Sequence, residues 1–162
     1  GTTGWLDAFP QVTQTAQENN TAFLYASNFS VGVNLFFKLN KILAQMMHPH
    51  KEYSVSMKET HHIHKLDAPS GTAISLAEGI IENSDLTHWK MDEGTKDSIA
   101  IQSHREGQVP GTHNVKYESL IDEITIEHKA HNRIGFALGA VIAAEWIVGK
   151  KGIFKMDDVL NL

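Results

Sequence analysis

Segments with helical periodicity alternate along this chain with segments that have the periodicity of strands. Residues 31–47 repeat large apolar side chains every three to four positions, which predicts an amphipathic helix; these are Leu35, Leu39, Ile42, Leu43 and Met46. Residues 53–58 then alternate strictly, which predicts a half-buried strand. Such an order predicts an α/β fold of the α+β type, in which an open mixed sheet is covered by helices.

The later elements follow from the same two periodicities. Helices are predicted over residues 72–82 and 135–148, and strands over 98–103, 113–117 and 123–128. A polar stretch over residues 59–71 separates the first of these helices from the strand before it. The sequence shows no repeat, no low-complexity tract and no long linker.

The beginning of the chain has the order turn, helix, buried strand. Gly1-Thr2-Thr3-Gly4 predicts the turn, residues 6–19 the helix and residues 21–26 the strand. This order is the second half of a βαβ unit, which needs another strand before the turn. We therefore expect the chain to be the C-terminal part of a longer protein.

Composition excludes several classes of function. The 162 residues include 14 Lys and Arg against 19 Asp and Glu, so the net charge of -5 argues against a nucleic-acid partner. Cys is absent, which excludes disulfides and thiolate chemistry. No apolar run is long enough to span a bilayer, and no signal peptide is visible. We expect a cytoplasmic protein without a membrane partner.

The densest polar cluster lies between a strand and the following helix, over residues 59–72. Open α/β sheets bind ligands at the carboxyl ends of their strands. Ser70-Gly71-Thr72 leads into a helix whose free N–H groups favour an anion, and Gly71 allows close approach. Lys65 adds positive charge, and His61, His62 and His64 add acid–base groups. The pattern predicts a site for a small dianion.

Two other interpretations of the cluster stay open at this point. In the first, the histidines are solvated loop residues and Ser70 is only a helix cap. In the second, His62 and His64 bind a metal from one strand face, with His104, His113, His128 or His131 as a third ligand. The nearby Lys65 would repel a cation, so we expect no metal.

Polar residues elsewhere carry weaker signals. Asn28 and Ser30 follow the buried strand and are expected to cap the next helix. Arg105 and Arg133 are expected to form surface ion pairs.

The segment Glu59 to Ala73, E-x-H-H-x-H-K-x-D-A-P-S-G-T-A, closely resembles the signature of the 4-hydroxy-tetrahydrodipicolinate reductase (dihydrodipicolinate reductase) family. Residues 1–4 resemble that family's second cofactor loop, and residues 26–34 its hinge segment. Residues 105–113 resemble its late loop, and residues 128–133 and 152–160 complete the match. The resemblance spans essentially the whole chain.

The resemblance implies an oxidoreductase of the diaminopimelate route to lysine, which reduces a cyclic dicarboxylate with NADH or NADPH. His61 would be the acid–base group and Lys65 the proton donor. Substrate would be held by His62, Ser70, Gly71 and Thr72. The nicotinamide end of the cofactor would be lined by Gly1, Thr2, Thr3, Ala26, Ser27, Asn28 and Phe29.

The resemblance also implies a division of the chain and a homotetramer. Residues 1–29 would be the remnant of a Rossmann-like dinucleotide-binding domain, and residues 30–150 the substrate-binding, catalytic and oligomerisation domain. Residues 151–162 would return to the nucleotide-domain side. The family's Gly-rich phosphate loop is not among the 162 residues, so we expect weak cofactor binding by this chain alone.

Two further classes of function stay open beside the reductase. One is the metal-dependent hydrolase that His62 and His64 would build. The other is a carboxylate-binding or oligomerisation module with no chemistry of its own. Tight zinc binding through His62 and His64 would favour the hydrolase. Activity that appears only after a nucleotide-binding segment is restored would favour the reductase over the binding module.

Overall fold

The computed structural model describes residues 4–162, which form helices and strands in alternating groups. After a short 3-10 turn at Leu6–Ala8, the helices are α1 (Phe9–Glu18), α2 (Val31–Met47), α3 (Gly71–Ile81), α4 (Ile134–Trp146) and α5 (Met156–Leu160). The strands are β1 (Ala22–Leu24), β2 (Ser54–His61), β3 (His88–Met91), β4 (Ser98–Arg105), β5 (Thr112–Glu118), β6 (Glu123–Lys129) and β7 (Gly152–Phe154).

Five strands form one mixed sheet in the order β3-β4-β2-β5-β6. Strand β2 lies at its centre, parallel to β4 and antiparallel to β5. The register places Met57 of β2 opposite Ile101 of β4 and Val115 of β5. The mixed α/β fold expected from the periodicities is confirmed.

Helices α2 and α3 cover one face of this sheet and bury the hydrophobic core. Met57, Ile101 and Val115 pack there against Leu76 and Ile80 of α3, and all five are at most 3% exposed. Burying each of these side chains contributes about 1.5–3 kcal/mol. The opposite face is polar, since alternate residues along the same strands point the other way.

Helix α2 has the predicted bounds, but of the predicted apolar stripe only Leu43 packs against the core. Leu35, Leu39 and Met46 are 48%, 48% and 64% exposed. The buried side carries Val33, Phe36, Asn40, Ala44 and Met47. Small and polar residues face α3 because the two helices pack closely, and Asn40 Nδ2 donates to the carbonyl oxygen of Leu76 at 2.9 Å.

Strand β2 is longer than the sequence predicted. The alternation was expected to end at Lys58, with a polar loop from Glu59, yet β2 continues to His61. Ladder bonds to both neighbouring strands extend it, because Glu59 pairs with Ser103 and His113. Strands β3 and β7 and helix α5 were not predicted, since each is too short to show a clear period.

The two ends of the chain meet in a second, two-stranded sheet. Strand β1 pairs in parallel with β7, with Phe23 opposite Ile153. Trp5, Phe9 and Tyr25 pack beside this sheet, mostly edge to face, at ring-centroid distances of 5.5 to 6.1 Å. Within residues 4–162, no helix is long and apolar enough to cross a membrane.

Candidate active site

The candidate site lies where β2 and β4 end and β5 begins. The register places His61 beside Arg105, and Thr60 beside Thr112. The loop after β2 carries Lys65 and leads into α3. The predicted cluster is therefore at the carboxyl edge of the central strand, as expected for an open sheet.

A buried carboxylate, Glu59, lies at the centre of the site and is 1% exposed. Its Oε1 atom accepts from the Ser70 N–H at 3.1 Å and from the Ser103 hydroxyl at 2.8 Å. Its Oε2 atom faces His61 Nδ1 at 3.3 Å. Burial raises the pKa of Glu59, but hydrogen bonds and the neighbouring His61 outweigh this and hold it well below its usual range. Sequence reasoning gave Glu59 no role.

Arg105 approaches the same carboxylate from β4, with its guanidinium 3.4 Å from Glu59 Oε1. It also donates to the carbonyl oxygens of Asp67 at 2.6 Å and Lys65 at 3.3 Å. The expected surface ion pair is therefore wrong for Arg105. Its carboxylate partner is buried, and its other donors hold the loop after β2.

His61 is 7% exposed, and its two ring nitrogens have different surroundings. Nδ1 is buried against Glu59. Nε2 borders Gly111, where a Cβ atom would come within 3.1 Å of it. Only a residue without a side chain allows the late loop to pass this close to the imidazole.

His113 of β5 packs beside His61 with ring centroids 5.0 Å apart. Its Nε2 atom lies 3.1 Å from the Ser70 hydroxyl. Burial, reinforced by the positive charge of a protonated His61, lowers the pKa of His113 to about 4. His113 is therefore neutral at neutral pH, and sequence reasoning considered it only as a metal ligand.

Lys65 lies on the loop after β2 and forms an ion pair with Asp67. Its Nζ atom is 2.8 Å from both carboxylate oxygens. The Lys65 side chain is 20% exposed and that of Asp67 is 60% exposed. Such a solvent-facing pair contributes little to stability, so an incoming anion can replace Asp67 at low cost.

Positive groups surround His62, which is half-buried in the same loop. Its pKa is lowered by desolvation first, and then by Arg133, His64, His61 and Lys65. Arg133, expected to form a surface ion pair, instead contributes to this positive region. Such a region favours a negatively charged ligand.

The first residues at the start of α3 differ in exposure, since one is buried and the next is open to solvent. Ser70 is 2% exposed, and its hydroxyl accepts from the Ala73 N–H at 3.2 Å, so it caps the helix. Gly71 is exposed, and a Cβ atom there would meet nothing within 4 Å. The half-buried Thr72 hydroxyl accepts from Asn28 Nδ2 at 3.4 Å.

Residues 26–29, the predicted cofactor-lining segment, follow β1 and reach α3 through that contact of Asn28. Ser30 caps α2 by accepting from the Val33 N–H at 3.4 Å, and Asn28 Oδ1 accepts from the Ser30 N–H at 2.8 Å. The expected capping is thus confirmed for Ser30, whereas Asn28 binds the N–H group of Ser30 itself and not one of the helix. Gly1, Thr2 and Thr3, also predicted to line the cofactor, lie outside the described residues.

The structure does not place His62 and His64 as the metal interpretation predicted. His62 and His64 lie in a loop after β2 rather than on one strand face, and their ring centroids are 6.3 Å apart. Among residues 4–162, Glu59, His61 and His113 could instead bring three ligand atoms within 4.8 Å of one another. The Arg105 guanidinium 3.4 Å from the same carboxylate opposes a cation there. We assign no metal to this cluster.

A separate cavity of about 1000 Å³ lies at the other end of the sheet. It is lined by the starts of β2 and β4 and by the end of α2, including Met47, Ser54 and Ser98. None of the described residues of the predicted site borders it. The acid–base groups therefore lie apart from this cavity.

A mixed sheet covered by helices, with acid–base groups at its carboxyl edge, is typical of an α/β enzyme. Residues 32–160 match the family model described as dihydrodipicolinate reductase, C-terminus. The chain is 56% identical, over 162 residues, to a 4-hydroxy-tetrahydrodipicolinate reductase from Christiangramia forsetii, covering 99% of this chain and 68% of that protein.

A solved structure gives the same result from the fold. Dipicolinate-bound dihydrodipicolinate reductase from Paenisporosarcina sp. TG-14 superposes with a TM-score of 0.75 at 26% identity. The match covers 98% of this chain and 62% of that one. The chain belongs to the 4-hydroxy-tetrahydrodipicolinate reductase family, NAD(P)H-dependent oxidoreductases of lysine and diaminopimelate biosynthesis. The resemblance found in the sequence is confirmed.

Proposed function

We propose that this chain binds 4-hydroxy-tetrahydrodipicolinate and supplies the proton for its reduction. In that reaction the hydroxyl group leaves as water, a hydride from NADH or NADPH adds to the ring, and tetrahydrodipicolinate is formed. The observation that carries the proposal is the positive region around His62, on the loop that leads into α3, to which Arg133 and Lys65 contribute charge. A cyclic dicarboxylate needs this combination of side-chain charge and backbone donors.

One substrate carboxylate would be held at the start of α3. The first N–H groups of a helix have no partner within the helix. The Ser70 hydroxyl accepts from Ala73, which leaves the N–H groups of Gly71 and Thr72 for a ligand. Gly71 is open on its outer side, so a carboxylate can approach the backbone. Ser70 contributes here by fixing the helix start, while His62 contacts the substrate from the loop.

Protons would come from Lys65 and His61. Lys65 donates to the reduced ring after leaving Asp67, and His61 serves as the acid–base group through Nε2. Arg105 supports both, because it donates to the carbonyl oxygen of Lys65 and to Glu59, the carboxylate that His61 faces. A positioned acid of this kind contributes about 10²–10⁴-fold to a rate.

Residues 26–29 suit the nicotinamide end of NADH or NADPH, together with Gly1, Thr2 and Thr3. The contact of Asn28 with Thr72 places this segment beside the proposed carboxylate site. The cofactor would supply the hydride. Ala26, Ser27, Asn28 and Phe29 would orient the ring and exclude water from it.

The proposed division of the chain follows its two sheets. Residues 1–29 and 151–162 contribute β1 and β7 to the small sheet, which we assign to the dinucleotide-binding side. Residues 30–150 contain the mixed sheet and would form the tetramer of a cytoplasmic enzyme. Exposed apolar side chains on α2 and α4, such as Leu39 and Leu138, support an assembly.

Calorimetric titration with dipicolinate tests the substrate site directly. We expect binding by the chain, a 10- to 100-fold weaker affinity in Lys65→Ala, and no effect of a chelator. Lys38→Ala, which removes an exposed lysine from α2, is the matched control. Equal affinities in both variants would exclude Lys65 from the site, and binding that requires a metal would favour the hydrolase.

Reductase activity is tested in a fusion of this chain to the remaining part of the Christiangramia forsetii relative. We expect activity in the fusion and weak or absent cofactor binding by the chain alone. A fusion that binds NADH but reduces nothing would favour a carboxylate-binding module. Light scattering tests the tetramer, and a monomer would contradict it.

A further inference from the structure

The Glu59 carboxylate has no part in the chemistry proposed above, although it is the most enclosed charge at the site. It is 1% exposed and lies on β2 two residues before His61. An ionised carboxylate in such a place is costly unless its surroundings compensate the charge. The arrangement of its partners indicates what the charge does.

The two oxygens of Glu59 have sharply different partners. Oε1 accepts from Ser70, Ser103 and Arg105, which belong to the α3 start and to β4. Oε2 accepts no well-aligned hydrogen bond from any of the described residues. It faces His61 Nδ1 at 3.3 Å. The first oxygen is therefore held in place, and the second is directed at the imidazole.

We propose that Glu59 is a positioning residue that keeps the proton of neutral His61 on Nδ1 and orients Nε2 toward the substrate. This inference rests on the proposed function of His61. A carboxylate that faces one ring nitrogen fixes the tautomer and supports the positive charge when the other nitrogen gains a proton. Because Oε1 also binds the Ser70 N–H, the same group aligns His61 with the start of α3.

The other charged groups around His61 leave this interaction intact. His113 lies 3.7 Å from Oε2, but it is neutral at neutral pH and its Nε2 is next to the Ser70 hydroxyl. Arg105 is directed at Oε1, and Lys65 pairs with Asp67. His62 completes the set from the loop side. Glu59 is thus the carboxylate that His61 faces within residues 4–162.

Glu59→Gln separates positioning from packing because it keeps the shape and removes the charge. The amide can donate to Nδ1, which would move the imidazole proton to Nε2. In the active fusion, we expect kcat to fall about 10- to 100-fold and KM to change less than about threefold. We expect the acid limb of the kcat profile to move to lower pH. Glu127→Gln on β6 removes an exposed carboxylate and is the matched control.

Glu59→Asp provides the rescue, since it restores the charge at a longer distance. We expect its kcat to lie between those of wild type and Glu59→Gln. If kcat and the pH profile of Glu59→Gln match the control, the proposal is overturned. An inactive wild-type fusion that does not bind dipicolinate would contradict the proposed function instead.

Nitrogen-15 NMR of the histidine rings tests the tautomer without any variant, so the proposal does not depend on Glu59→Gln folding. In the wild-type chain, at a pH at which the His61 ring is neutral, we expect a protonated Nδ1 and an unprotonated Nε2. The opposite tautomer would overturn the proposal. In folded Glu59→Gln, the pattern should reverse, whereas in Glu127→Gln it should not.

Discussion

Two neighbouring regions of the site are built in opposite ways. The network around Glu59 is closed, because Glu59, Ser70 and His113 are at most 5% exposed and contact one another. The loop that carries Lys65 is open, and Asp67, the partner of Lys65, is 60% exposed. The closed region can keep its side chains in a fixed geometry, and in the open region Lys65 can exchange Asp67 for a ligand. A site that binds a small dianion and moves a proton needs both.

The largest expected effect comes from opening the closed region. Glu59→Ala leaves the Arg105 guanidinium and the Ser70 N–H without their acceptor, so we expect a loss of about 3–5 kcal/mol in the free energy of unfolding. Urea denaturation of the chain measures it. Glu127→Ala, on the open face of β6, should change the free energy by less than about 0.5 kcal/mol. Similar losses in the two variants would show that the network around Glu59 does not stabilise the fold.

Acid should destabilise the closed region through His113. The pKa of this group is about 4 in the folded chain against an ordinary 6.5, so the unfolded chain binds a proton that the folded chain does not. Between these values the free energy of unfolding therefore falls as pH falls, by on the order of 3 kcal/mol. Urea titrations at several pH values measure the slope.

His113→Gln should flatten this slope, while the exposed His50→Gln should preserve it. The lowered pKa values of His62 and His128 leave a smaller slope of the same sign. Below about the ordinary value of 4.5, the stability that ionised Glu59 provides is lost as well. An unchanged slope in His113→Gln would contradict the assignment.

Gly111→Ala tests how closely the late loop may approach the closed region. Its Cβ atom would lie 3.1 Å from His61 Nε2, at a φ of +156°. We expect a loss of about 1–3 kcal/mol in thermal unfolding, with a change in the His61 NMR signals. Gly107→Ala is the matched control, because its φ is +45° but its Cβ would meet nothing within 4 Å. If both variants shift the His61 signals equally, crowding of the imidazole is not the cause.

The smallest effect is expected in the open region at His64. This side chain is exposed, and we place it outside the machinery. His64→Ala should change the dipicolinate affinity less than about threefold and the Tm by less than about 3 °C. A larger loss of affinity would extend the binding site along the loop.

The open region could be predicted from the sequence, and the closed region could not. His62, Lys65 and Gly71 are neighbours in the chain, so their role was visible as one motif, which also included His61 of the closed region. Glu59 meets Arg105 and His113 only because β2 pairs with both β4 and β5. A strand pairing over 46 or 54 residues leaves no local pattern, so Arg105 was assigned to the surface.

Helix α2 shows the same limit for the fold. Local signals determined its two ends, because Ser30 caps its start and Pro49 follows its last residues. Which side is buried depends on the partner, and close packing on α3 selected Asn40 and Ala44 over the larger Leu35 and Leu39.

The sequence by itself determined the four longer helices, most of the strands, the anion-binding motif and, through that motif, the family. These are local properties, set by periodicity, capping and neighbouring residues. Tertiary structure decided the pairing of β1 with β7, the side of α2 that is buried, and the convergence of Glu59, Arg105 and His113. Each of these depends on contacts between distant segments, which form only when the chain closes around its core.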